Sequence, residues 1–133
     1  MTSPRPLVLI ADDEASVRRV LQGALEREGY RVVGAGSAEA AYELLTSEPA
    51  DAVLLDVHLP TMSGLALYLA IVHRWPTLLD RIALMTGDAG AEEVQAWLTR
   101  NPCMVLRKPF ELGEIVAWLR SVLQARGRGR ANG

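Results

Sequence analysis

Leu7-Val8-Leu9-Ile10-Ala11-Asp12-Asp13-Glu14 is an apolar run of strand length that ends abruptly in acids. Apolar residues without polar alternation mark a strand buried on both faces, as parallel strands are. Directly downstream, Val17, Val20, Leu21, Ala24 and Leu25 recur at helical spacing and form one apolar stripe. Strand then helix is the unit, and it repeats. Gly29 closes the first helix as a left-handed cap, Arg31 to Ala35 makes a second strand, and Ser37 opens an alanine-rich helix through Leu45 that Pro49 breaks. Asp51 to Asp56 is the third strand, Leu65 to Trp75 the third helix, Ile82 to Met85 the fourth strand and Gly90 to Arg100 the fourth helix. Met104-Val105-Leu106 is the fifth strand. A last helix from about Glu111 to Ala125 carries Leu112, Ile115, Val116, Leu119, Val122 and Leu123 on one stripe. Five such units joined by right-handed crossovers predict an α/β fold, a doubly wound five-stranded parallel sheet with helices on both faces.

The 133 residues are 50% hydrophobic and 23% charged, close to ordinary globular usage. A chain of this size buries about two-thirds of its unfolded surface, so one domain over residues 1–125 needs no disulfide staple. Cys103 is the only cysteine and no basic-then-apolar leader opens the chain, which favours a reducing, cytoplasmic setting. No apolar run approaches the ~20 residues of a membrane span, so no membrane role is expected. The net charge of -2 argues against nucleic acid as a partner. Arg126, Arg128 and Arg130 crowd the end of the chain and leave the body more acidic still. Residues 126–133 have no apolar face and read as a disordered basic tail or linker, with a phosphate-binding tail as the alternative.

In sheets wound this way the functional site lies beyond the carboxyl ends of the strands, where the winding reverses. That rule selects Asp12 and Asp13 after strand one, Asp56 at the end of strand three, Thr86 after strand four and Lys108 after strand five. Three carboxylates drawn together repel one another unless a cation sits among them, and hard oxygen donors suit Mg2+. With its charge offset, one carboxylate can attack phosphorus and form an acyl phosphate. The transferred group develops charge on its oxygens, which calls for a metal, a fixed cation and a hydroxyl; Lys108 and Thr86 are candidates for the last two. Lys108 is also the only lysine among 14 basic residues although Arg107 stands beside it, so the position selects a compact point charge over a planar fork. Each residue alone has an ordinary reading: Asp12 and Asp13 as a helix cap, Asp56 and Thr86-Gly87 as turns, Lys108 as a solvated charge. Their convergence on one sheet edge favours a site.

Four motifs stand in order: Ile10-Ala11-Asp12-Asp13-Glu14, Leu55-Asp56-Val57-His58-Leu59-Pro60 with Gly64, Met85-Thr86-Gly87, and Lys108-Pro109-Phe110. Over about residues 6 to 124 they resemble the response-regulator receiver domain of two-component signalling. The resemblance implies a flavodoxin-like receiver fold acting as a phosphoacceptor in a phosphorelay. Asp56 would take a phosphoryl group from a phosphohistidine on a sensor histidine kinase or a histidine phosphotransfer protein. Mg2+ would be held by Asp13 and Asp56 directly, by Asp12 mainly through water, and by the His58 backbone carbonyl. Thr86 and Lys108 would contact the phosphoryl oxygens, and the Lys108-Pro109 bond would be cis. Such a protein is not an enzyme, although it assists its own phosphorylation and dephosphorylation. It is either free-standing or the receiver of a hybrid kinase, is expected to carry no DNA-binding domain, and could pair as a homodimer. In the family an aromatic on strand five follows the switch threonine; here that position is Val105. Its stiff χ1 and short reach move the expected output to the Thr86 to Gly90 loop.

Other readings compete. A Mg2+-dependent aspartyl-phosphate phosphatase wants a second Asp two residues after the nucleophile, where this chain has His58, and no inserted segment could enclose a substrate. A nucleotide binder needs a glycine- or hydroxyl-rich loop after strand one, where Asp12-Asp13-Glu14 would repel phosphate. A receiver fold serving only as an interaction scaffold, rarely phosphorylated, is the remaining alternative. His58 and His73 lack zinc-type spacing. His58 is expected at the rim, where it could govern water access to an acyl phosphate, and Cys103 is expected as a partly buried hydrophobe.

Overall fold

The computed structural model describes residues 5–132, with side chains from Arg5 to Leu123. Its elements are β1 (Leu7–Ala11), α1 (Ala15–Arg27), β2 (Arg31–Ala35), α2 (Ala38–Ser47), β3 (Ala52–Asp56), α3 (Gly64–Arg74), β4 (Ile82–Thr86), α4 (Glu92–Arg100), β5 (Met104–Arg107) and α5 (Leu112–Asn132). A single 3-10 turn, Pro76–Leu78, lies between α3 and β4. The five strands are parallel in the order β2-β1-β3-β4-β5, so the winding reverses between β1 and β3. This is the doubly wound sheet that the apolar strand runs predict.

Alternation along the strands divides the core into two layers. Leu9, Ala11, Val53, Leu55, Ile82 and Leu84 face α2, α3 and α4. Val8, Ile10, Leu54, Ala83, Met85 and Leu106 face α1 and α5, meeting Leu21, Leu25, Ile115 and Leu119. Because helices cover both faces, β1, β3 and β4 are buried along their whole length, which is why these strands need no polar alternation. Asp51 fixes β1 against β3 at their amino-terminal ends, its carboxylate accepting the Leu7 N–H at 2.8 Å.

Local signals act as read. Gly29 has φ +99°, and the Ser37 hydroxyl accepts the Ala40 N–H at the start of α2. Two stripe residues depart from expectation. Val20 is 61% exposed and Leu112 38% exposed, while Leu21 and Leu25 of α1 and Ile115 and Leu119 of α5 are buried against the sheet, with Val17, Val116 and Leu123 partly buried beside them. The α4 helix starts at Glu92 instead of Gly90, since Gly90 belongs to the turn in which the Asp88 carbonyl accepts the Ala91 N–H. The α5 helix is longer than the span read from the sequence. The disordered tail or linker expected from residue 126 is described only as backbone, which continues α5 to Asn132.

Candidate functional site

The carboxyl edge of the sheet carries the site. Asp12 follows β1, Asp56 ends β3, and the two strands are neighbours at the reversal of winding. Asp12 is fully buried and Asp56 nearly so, while Asp13 is exposed at the mouth. One carboxylate oxygen from each of the three lies within 4.8 Å of the others. Lys108, just past β5, donates from Nζ to Asp12 Oδ2 at 2.8 Å and to Asp56 Oδ2 at 3.2 Å, with Glu14 Oε1 at 4.0 Å. The sole lysine therefore bridges the two buried acids.

Backbone geometry delivers these groups. The Asp12 N–H reaches the Ala35 carbonyl, its Oδ1 accepts the Glu14 N–H at 2.9 Å, and Asp56 Oδ1 accepts the His58 N–H at 2.9 Å. Each acid thus spends one oxygen on its own loop and turns the other to Lys108. The helix-cap reading of Asp12 and Asp13 does not hold: Glu14 is the N-cap of α1, with no side-chain cap bond. The Lys108 N–H donates to the Thr86 carbonyl at 2.8 Å, tying β5 to β4, and the Lys108–Pro109 bond is cis. Thr86 is fully buried, and its hydroxyl accepts the Asp88 N–H at 3.1 Å instead of meeting the acids. His58 is exposed at the rim, lining a shallow hollow with Asp13 and Pro60. Val105 is half-buried on β5, opposite Leu84.

The electrostatics follow from this packing. Burial is the main cause that pushes the Asp56 pKa above its ordinary 3.8; the Asp12 charge adds to it, while the His58 N–H and Lys108 oppose. Burial works to lower the Lys108 pKa, but its bonds to Asp12 and Asp56 and their charges outweigh it, leaving the ammonium more firmly protonated than usual. The result is a buried acid kept partly off balance beside a fixed cation. Three carboxylate oxygens this close form a hard, anionic donor set that fits Mg2+ and does not fit a soft metal.

One feature escaped the sequence reading. Arg18 of α1 donates to the Asp12 backbone carbonyl. It runs through a slot at β2 where a Cβ on Gly34 or Gly36 would come within 3.2 Å of its atoms. Gly34 in β2 and Gly36 just past it signalled that something bulky passes there. Gly64, which the sequence reading groups with the Asp56 motif, has a steric role: a Cβ there would sit 2.0 Å from the Asp56 carbonyl oxygen, and its N–H donates to the Val57 carbonyl at 2.7 Å. Only glycine lets α3 start against the strand that carries Asp56. Cys103 behaves as expected, half-buried with its thiol pushed up to about 11 by burial.

Comparison with known proteins gives one family. The model of the response regulator receiver domain matches residues 8–120. The response regulator receiver protein CpdR of Brucella abortus is 33% identical over 118 residues, which cover 89% of this chain and 97% of CpdR. The phosphate regulon transcriptional regulatory protein PhoB of Pseudomonas aeruginosa is 31% identical over 122 residues, covering 92% of this chain and 53% of PhoB. The chain thus spans about half the length of PhoB. Among solved structures, the signal receiver domain of an HD domain-containing protein from Pseudomonas fluorescens Pf-5 superposes with a TM-score of 0.84 at 28% identity, covering 98% of this chain and 96% of that one.

Proposed function

The chain belongs to the response regulator receiver domain family, and from that premise we propose that Asp56 is its phosphoacceptor. Receiver domains are signalling phosphoacceptors that meet histidine kinases or phosphotransfer proteins. The observation that carries the assignment is the bridge from Lys108 Nζ to both Asp12 and Asp56. It leaves Asp56 the buried acid at the edge of the mouth that Asp13 and His58 line.

In this reading an Asp56 oxygen attacks the phosphorus of a phosphohistidine. A P–O bond forms as the P–N bond breaks, and the electron pair returns to the ring nitrogen. Lys108 shifts from bridging two acids to holding a phosphoryl oxygen, without needing to change protonation. Asp12, Asp13, Asp56 and the His58 carbonyl would hold Mg2+, which when bound would offset the charge gathering on the transferred group. Thr86 gives up its bond to the Asp88 N–H to reach the phosphoryl group, and the loop from Thr86 to Gly90 moves with it. Val105 has no ring to follow, so the output is a backbone displacement of that loop.

We read residues 1–125 as the receiver unit and 126–133, reached along the end of α5, as a tail or linker. A cytoplasmic setting accords with the family; among the described residues no helix is long and apolar enough to cross a membrane.

The test is intact mass after incubation with acetyl phosphate, with and without Mg2+, beside Asp56→Asn. One added phosphoryl mass that needs both Mg2+ and Asp56 is the expected result. If no mass appears with acetyl phosphate or with a phosphohistidine protein donor, the scaffold reading replaces this one.

A further inference from the structure

Between α2 and α3 lies a cavity of about 600 Å³ floored by Ala38, Tyr42, Leu67 and Ala70, with Met62 at its edge, 41% exposed. The floor is apolar and the α2 rim is acidic. Glu39 and Glu43 stand four residues apart on that rim, about 6 Å along the helix axis, a like-charge spacing that costs helix stability. Among the described residues neither carboxylate has an ion-pair partner, and no cation lines the cavity. The surface presents an apolar trough with an unneutralised anionic edge.

That edge is tied to the loop after Asp56. Thr61 has φ +66°, a left-handed conformation that is costly for a β-branched residue. Its hydroxyl proton is shared between Glu39 Oε2 and the Pro60 carbonyl, each at 2.6 Å. The Thr61 hydroxyl holds the Glu39 carboxyl below its ordinary pKa, so the group is an anion at neutral pH. Glu39 therefore belongs at once to the rim and to the support of a strained loop that begins two residues past Asp56.

We propose that this trough is a docking surface for an amphipathic helix of a partner protein, its apolar stripe on the floor and its basic residues, four apart, facing Glu39 and Glu43. A helix fits because the trough lies between two helices, and because residues four apart on the incoming helix repeat the rise that separates the two acids. A cation over Glu39 competes with Thr61 for the same carboxylate. Docking is thereby coupled to the conformation of the loop after Asp56, and the coupling runs both ways. The surface goes beyond the phosphoacceptor reading and does not depend on it.

The test titrates the isotope-labelled full chain, with Mg2+ present, against a helical peptide of roughly 16 residues, about 24 Å long, bearing a leucine stripe flanked by lysines four apart. A peptide with glutamate for lysine and a scrambled peptide of the same composition are the comparisons. Saturable amide shifts are expected on α2, on α3 and at His58 to Thr61. A change in Trp75 emission is also expected, since its ring lies 5.1 Å from that of Tyr42 on the trough floor. Affinity should fall about threefold in Glu43→Gln and in Glu39→Gln, and stay unchanged in Glu93→Gln on α4. Absence of saturable binding, equal binding by either comparison peptide, or shifts centred on Val17, Val20 and Phe110 would overturn the proposal. So would concentration-dependent shifts on the same residues without peptide, which would make a second copy the occupant.

Discussion

Lys108 holds together two acids that would otherwise force one another apart. Replacing it with alanine leaves Asp12 and Asp56 buried without a counter-charge; labelling by acetyl phosphate should slow by about 10²-fold, read by intact mass over time. Lys108→Arg should rescue little, because a planar fork cannot take the place of a point charge between two converging oxygens. Asp56 has a pH signature of its own. Its folded pKa is raised above the unfolded value, so its contribution to stability is complete below the unfolded pKa and is lost as pH rises through the folded one. Asp56→Asn should therefore raise the melting temperature near neutral pH in EDTA, with the gain shrinking as pH falls toward 3.8, followed by circular dichroism. Arg18, outside the pocket, holds the carbonyl of Asp12. Arg18→Ala should weaken Mg2+ binding about tenfold by calorimetry while the fold persists.

At the scale of elements, the start of α3 is set by contact with β3. Gly64→Ala would drive a methyl into the Asp56 carbonyl, and a loss of about 3 kcal/mol or more is expected in urea denaturation. All five strands and all five helices were legible in the sequence, because helices on both faces leave β1, β3 and β4 uninterrupted and apolar. The residues that gather at the carboxyl edge were legible too, since the ends of those strands announce Asp12, Asp56 and Thr86. What local pattern does not carry is which stripe residues a helix finally buries. Val20 keeps helical spacing yet faces solvent, because the angle at which α1 lies on the sheet is set by partners distant in sequence. Arg18 went unseen for a different reason: its partner is a backbone carbonyl in the loop after β1, which no side-chain pattern marks, and only Gly34 and Gly36 hinted at the space it fills.

For the molecule as a whole, the switch should be shorter in range than in receivers with an aromatic on the fifth strand. Thr86 is anchored to its own loop through the Asp88 N–H, and Val105 cannot fill the space it would vacate. On activation by beryllofluoride, amide shifts should concentrate on residues 86–90 and fall away along the outer face of α4; large changes there would count against this. A single substitution, Val105→Tyr with Thr86 kept, should extend the shifts toward α4. One further consequence comes from the uniform direction of the strands. Every turn that enters a strand, at Gly29, Ala50, Asp80 and Asn101, gathers at the end opposite the charged edge. For anyone labelling or immobilising the protein, that end is a grip. A dye, a bead or an antibody placed there leaves the reactive end facing open solution.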